Sequence, residues 1–113
     1  MNKGPEKNIE FIRNTMMSLP GVYEGICFGT MAFYVQKKLL VRMKEDNVTL
    51  VVYTPDRDEW TVKDNETYYI TDHYRNYPYV LVNLSRVETK ELVTILTGAW
   101  KSRAGIKLLK LLQ

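Results

Sequence analysis

The sequence predicts an α+β domain of two layers, an antiparallel meander sheet with an N-terminal and a C-terminal helix packed on one of its faces. Three observations lead there. Apolar residues recur at three- and four-residue steps near both ends of the chain, first as Ile9, Ile12, Met16 and Leu19 and again as Leu92, Ile95, Leu96, Ala99 and Trp100, which is helical periodicity. Between these stripes, Val22 to Leu84 divides into short β-rich runs separated by turn residues, without the regular alternation of strand and helix that a parallel sheet requires. Finally, 113 residues with 45% hydrophobic and 26% charged side chains suit one domain with its own core. The domain is therefore assigned to residues 1–113.

Each element has a local cause. Met1 to Gly4 read as an unstructured lead. Pro5 at a first helical position and Glu6 in the first turn open a helix expected over residues 5–18. Pro20 biases Leu19 toward an extended conformation and Gly21 supplies a permissive turn, so Leu19-Pro20-Gly21 ends the helix and launches the sheet. Ala32 to Val35, Leu39 to Lys44 and Val48 to Tyr53 are the clearest strands, joined through Gln36-Lys37-Lys38 and Glu45-Asp46-Asn47 as hairpins. The charged stretch from Pro55 to Asn65 holds a short helical segment around Arg57 to Trp60. Tyr68 to Thr71 and Tyr79 to Leu84 form two more strands, enclosing the loop Asp72 to Pro78. Ser85 and Glu88, spaced as a capping box, open the long C-terminal helix, and Gly105 is expected to break it before Ile106 to Leu112. Alternation in the central hairpin sends Leu39, Val41, Met43, Val48, Leu50 and Val52 toward the helices, and Arg42, Lys44, Thr49 and Tyr53 toward an open, solvated face.

Composition excludes several classes of function. One cysteine and one histidine remove disulfide frameworks and Cys/His zinc sites, so no metal is expected. No dinucleotide, phosphate-loop, zinc-protease or serine-hydrolase motif occurs, and no cofactor is implied. The acidic groups Glu45 and Asp46, Asp56, Asp58 and Glu59, and Asp64 and Glu66 match no calcium loop. No apolar run approaches the roughly 18 residues needed to span a bilayer and no signal peptide opens the chain, so a cytoplasmic protein without membrane contact is expected. The charge of +3, from 16 Lys and Arg against 13 Asp and Glu, permits an anionic partner.

Two candidate sites remain. Lys37, Lys38, Arg42 and Lys44 share one hairpin beside Tyr34 and Tyr53, a mixture suited to phosphate contact by a non-enzymatic protein that binds double-stranded DNA. The plain alternative is the solvated face of a one-sided sheet, and Lys101, Arg103, Lys107 and Lys110 are better explained by the negative end of a helix than by a nucleic-acid footprint. The second candidate is a protein-interaction or small-ligand module on the aromatic loop, where five of eight tyrosines lie between Tyr68 and Tyr79. Its pocket residues would be Arg57, Trp60, His73, Tyr74 and Tyr77, with Arg57 also placed for local ion pairs with Asp56 and Asp58. His73 has no nucleophile near it in sequence, Cys27 being distant and without a third member. No catalytic residue is therefore expected, and His73 is read as tying down its loop through hydrogen bonds.

The runs Ser18-Leu19-Pro20-Gly21-Val22, Glu24-Gly25, Phe33 to Arg42, Arg57-Asp58-Glu59 and Thr71-Asp72-His73-Tyr74-Arg75-Asn76-Tyr77-Pro78 resemble the MmcQ/YjbR-like proteins. So do Val80 to Leu84 and a helix ending in Ala99-Trp100, and the similarity runs from about residue 9 to residue 104. The resemblance implies a frataxin-like (CyaY-like) fold with paired hairpins similar to DNA-binding wings, and a DNA-binding label that rests on fold analogy. Thr30-Met31 and Asn47-Val48 depart from the family's usual proline and glycine at those turns.

Overall fold

The computed structural model describes residues 4–112, so the lead before Gly4 lies outside the described residues. The first helix, α1, runs over Pro5–Met17, and its apolar stripe places Ile12 and Met16 wholly out of solvent. Gly21 follows with φ 75°, and a Cβ built there would stand 2.8 Å from Leu108. Both backbone angle and space thus require glycine at this corner.

Six strands follow: β1 Val22–Cys27, β2 Thr30–Val35, β3 Lys38–Met43, β4 Thr49–Tyr53, β5 Tyr68–Tyr69 and β6 Tyr79–Asn83. They form one antiparallel sheet in the order β1-β2-β3-β4-β6-β5. Two of the turns are tight and left-handed. Phe28 and Gly29 link β1 to β2 with φ 52° and 78°, and Gln36 and Lys37 link β2 to β3 with φ 50° and 67°. These are the angles of a two-residue hairpin turn that normally favours Asn-Gly. The β3–β4 turn is stabilised differently, because the Asp46 carboxylate accepts the amides of Val48 and Thr49 and the Thr49 hydroxyl.

The helix-facing side carries Phe33, Val35, Val41, Met43, Leu50, Val52, Val80 and Val82, all buried. One side assignment changes. Phe33 pairs with Val41 and Tyr34 with Leu39, so Leu40 is the extra residue of a β-bulge. Leu40 therefore joins the core, while Leu39, partner of Tyr34, falls on the other face. That other face is also not open. Val51, Leu81 and Tyr74 are buried there together, with Tyr69, Ile70 and Tyr79 packed around them. The cover is the segment between β5 and β6, which makes a single 3-10 turn at Asp72–Tyr74. A sheet face whose strands carry Val51 and Leu81 needs such a lid, since both side chains would otherwise sit in water.

The short helix α2, Arg57–Lys63, lays Trp60 against Tyr68 with ring centroids 4.9 Å apart. The long helix α3, Thr89–Arg103, buries Leu92, Ile95, Leu96, Ala99 and Trp100 against the sheet and α1. The capping box does not form: Glu88 occupies the cap position itself, and the Ser85 hydroxyl bonds the Asn83 side chain. The break at Gly105 is present, with α4 following over Ile106–Lys110. Trp100 joins the two ends of the chain, donating its indole N–H to the Pro20 carbonyl at 2.8 Å from a fully buried position. Trp100→Phe removes that donor and part of the ring, stranding a carbonyl beside a void. It is expected to cost about 2 to 3 kcal/mol in urea unfolding with an unchanged denaturant slope.

Candidate functional site

The four basic hairpin residues do not share a surface. Arg42 is only 6% exposed. It stands on the lidded face, where its Nε donates to the Tyr74 hydroxyl at 3.3 Å and its Nη1 to the Thr30 hydroxyl at 3.3 Å. Glu45 lies 3.6 Å from the same guanidinium, and the Phe28 ring 5.1 Å. The expectation of a solvent-facing Arg42 is thus overturned, because the aromatic lid needs a hydrogen-bonding partner and Arg42 lies beneath it. Lys44 sits at the far end of β3 from Lys38, roughly 20 Å along a six-residue strand, beside Glu45 and Asp46. Lys37 and Lys38 remain exposed at the β2–β3 turn.

The structure gives that turn other neighbours. A Cβ on Gly105 would come within 3.0 Å of the Gln36 side chain, and Arg103 donates to the Leu39 carbonyl at 3.1 Å. The α3–α4 corner therefore lies against the β2–β3 turn, so the exposed Lys101, Lys107 and Lys110 are carried on the elements that meet the turn of Lys37 and Lys38. None of these five lysines makes an ion pair with the described residues. Sequence reasoning assigned the C-terminal lysines to the helix dipole. The signal for their placement was the Gly105 break, which turns α4 back over Gly21. Arg103 itself is structural, its guanidinium stacked 3.6 Å over the Tyr53 ring.

The aromatic-loop residues are brought together only in part. Arg57 makes no ion pair with its acidic neighbours. Its Nη1 donates to the carbonyls of Tyr74 at 2.7 Å, Tyr77, and Tyr79 at 3.4 Å, and its Nη2 to that of Arg75. Both terminal nitrogens bond the lid's backbone, so Arg57 clamps the loop. His73 is exposed and makes no hydrogen bond with the described residues; it only packs edge-on against Tyr74, ring centroids 4.8 Å apart. The loop-tying role thus belongs to Arg57. Tyr77 is exposed on the lid, and Trp60 stands away from it in a cleft between α2 and α3.

On the lidded face Tyr34 crosses β1 above Gly25, and its hydroxyl donates to the Ile26 carbonyl at 3.0 Å. Burial, with Cys27 beside it, pushes the Tyr34 hydroxyl above the ordinary tyrosine range. Burial does the same to Tyr79, partly offset by Arg103. Both shifts keep the phenols protonated, the opposite of what an activated base needs. Among the described residues no three His, Cys, Asp or Glu side chains could hold a metal ion together, and no helix is long and apolar enough to cross a membrane.

At the edge of α2, the Tyr68 hydroxyl donates to Glu91, holding its carboxyl below the usual range, and Lys63 at 3.1 Å adds to this. A depressed folded value stabilises the fold above the unfolded value of about 4.3, and that contribution is lost as pH falls through the folded value. Urea midpoints measured from about pH 6 to about pH 3 should therefore fall more steeply for the parent than for Glu91→Gln. Arg57→Ala should cost about 2 kcal/mol and speed amide exchange across residues 74–79, whereas His73→Ala should stay within about 0.5 kcal/mol of the parent.

No family model matches the sequence, and no curated protein matches it. Among solved structures, the crystal structure of Deinococcus radiodurans protein DR2400, a DUF419 domain, superposes with a TM-score of 0.73 at 19% identity, covering 96% of this chain and 89% of that one. DUF419 is the MmcQ/YjbR family, so the fold half of the sequence resemblance is met by a solved structure. At that identity the chain is shown to share the DR2400 fold.

Proposed function

We propose that the domain binds double-stranded DNA through its phosphates, without catalysing a reaction, at the end formed by the β2–β3 turn and the α3–α4 corner. The observation that supports this reading is the convergence of Lys37, Lys38, Lys101, Lys107 and Lys110, exposed and free of ion pairs among the described residues. Lysine ammoniums on flexible stems meet phosphates as point charges and read no base edge, so the binding is indifferent to sequence. Arg42, enclosed under Tyr74, has no part in it.

Each phosphate neutralised on a duplex contributes about 0.9 to the slope of log affinity against log salt, so five contacts give a slope of magnitude about 4.5. Fluorescence anisotropy on a short labelled duplex across a salt series measures it. Lys37→Gln with Lys38→Gln should flatten the slope by about 1.8, and Lys107→Gln with Lys110→Gln by the same amount, with melting temperatures unchanged. Absence of binding by the parent at low salt would contradict the proposal, as would an unchanged slope in both double variants.

A further inference from the structure

A groove of about 370 Å³ lies between the last turn of α3 and the helix α4, lined by Trp100, Lys101, Leu109 and Leu112. The fully buried Trp100 forms its floor, and Leu112 stands 47% exposed at its mouth. The polar groups of the floor are already used. The Trp100 indole N–H donates to the Pro20 carbonyl at 2.8 Å, and the Trp100 carbonyl accepts the Ala104 amide at 2.7 Å. On the α4 wall, the Leu109 amide donates to the Gly105 carbonyl at 3.0 Å and the Leu109 carbonyl accepts the Leu112 amide at 3.3 Å. One side-chain polar function is left in the lining, the Lys101 ammonium, which is exposed and has no ion pair or hydrogen bond among the described residues. Its charge is not offset locally. From Leu92 to Gln113 the sequence holds Lys101, Arg103, Lys107 and Lys110 and no Asp or Glu, and no acidic side chain lines the groove.

An apolar groove with a cation at its rim is complemented by a molecule of the opposite build, an alkyl chain that ends in an anion. A cationic ligand would meet four basic groups, and a second copy docked symmetrically would set these like charges against one another. We infer that the α3–α4 groove binds a medium-chain carboxylate, its chain along Leu109 and Leu112 over Trp100 and its head at Lys101. The volume lies at the low end of small-molecule sites, roughly 300 Å³ and upward, which suits a single chain of about eight carbons. The groove shares Lys101 with the proposed phosphate surface, but the inference rests on the groove's own lining and holds whether or not the domain binds DNA.

The test titrates octanoate, hexanoate, octanamide and acetate, below micelle-forming concentrations, into protein labelled at leucine methyls and tryptophan indoles. No DNA is present, so the outcome is read apart from that of the salt series. Octanoate should saturate, shifting Leu109, Leu112 and the Trp100 indole and giving nuclear Overhauser contacts from its chain to both leucines. The Trp60 indole, on α2, should stay in place. Octanamide and acetate should bind at least about tenfold more weakly, and hexanoate, with two methylenes fewer to bury, about tenfold more weakly. Lys101→Gln, at an exposed position, should weaken octanoate about tenfold without affecting octanamide, and Lys101→Arg should restore it. The inference is overturned if the parent does not saturate, if octanamide binds as tightly as octanoate, or if Lys101→Gln with an unchanged melting temperature keeps the parent's affinity. A dimer in sedimentation that octanoate does not dissociate would also overturn it, a second copy then filling the groove.

Discussion

Arg42 carries a positive charge into the middle of a sheet face, and much of the structure on that side exists to receive it. An unpaired guanidinium there would cost several kcal/mol in lost hydration. It is met by the hydroxyls of Tyr74 and Thr30, the Met43 carbonyl at 3.4 Å and the Glu45 carboxylate at the rim. Tyr74 can serve only because its loop is held in place, and Arg57 does the holding through carbonyls of Tyr74, Arg75, Tyr77 and Tyr79. The order of dependence runs from Arg57 to the loop, from the loop to Tyr74, and from Tyr74 to the burial of Arg42, Val51 and Leu81.

This arrangement decides where charge and reactive edges remain. With Arg42 enclosed, the exposed lysines without ion pairs among the described residues include Lys37 and Lys38 at the β2–β3 turn and Lys101, Lys107 and Lys110 on the elements that meet it. The free edge of the sheet is guarded as well. Tyr34 lies across Gly25 and occupies the Ile26 carbonyl, so part of the β1 edge that would otherwise template another strand is already bonded. The glycine is needed there because a Cβ would approach the Tyr34 ring to 3.0 Å.

Much of the fold was legible in local signals. The stripe from Ile9 to Leu19, the Leu19-Pro20-Gly21 corner, the strand runs and the break at Gly105 all follow from periodicity, proline and glycine, and the structure has them. What was not legible depends on partners distant in sequence. Arg57 is separated from the loop it clamps by more than a dozen residues, and nothing local distinguishes it from an arginine paired to Asp56 or Asp58. Without the clamp the tyrosines of residues 74–79 read as a pocket, and the face beneath them reads as solvated. The bulge at Leu40 was hidden because Leu39 and Leu40 are equally apolar, so alternation alone could not choose between them. Of the candidate site residues, Lys37 and Lys38 stand exposed as expected, Arg42 and Lys44 are diverted to other places, and Trp60 marks a cleft that does not include His73.

The most direct test of this account is a double-mutant cycle between Arg42 and Tyr74. Urea unfolding of Arg42→Gln, Tyr74→Phe and the double variant gives their coupling energy. The account predicts that each single change destabilises, and that the two are coupled by about 1 kcal/mol, because removing the hydroxyl strands a buried donor that the Gln variant no longer presents. Additivity within about 0.3 kcal/mol, together with a neutral Arg42→Gln, would contradict it and return Arg42 to solvent.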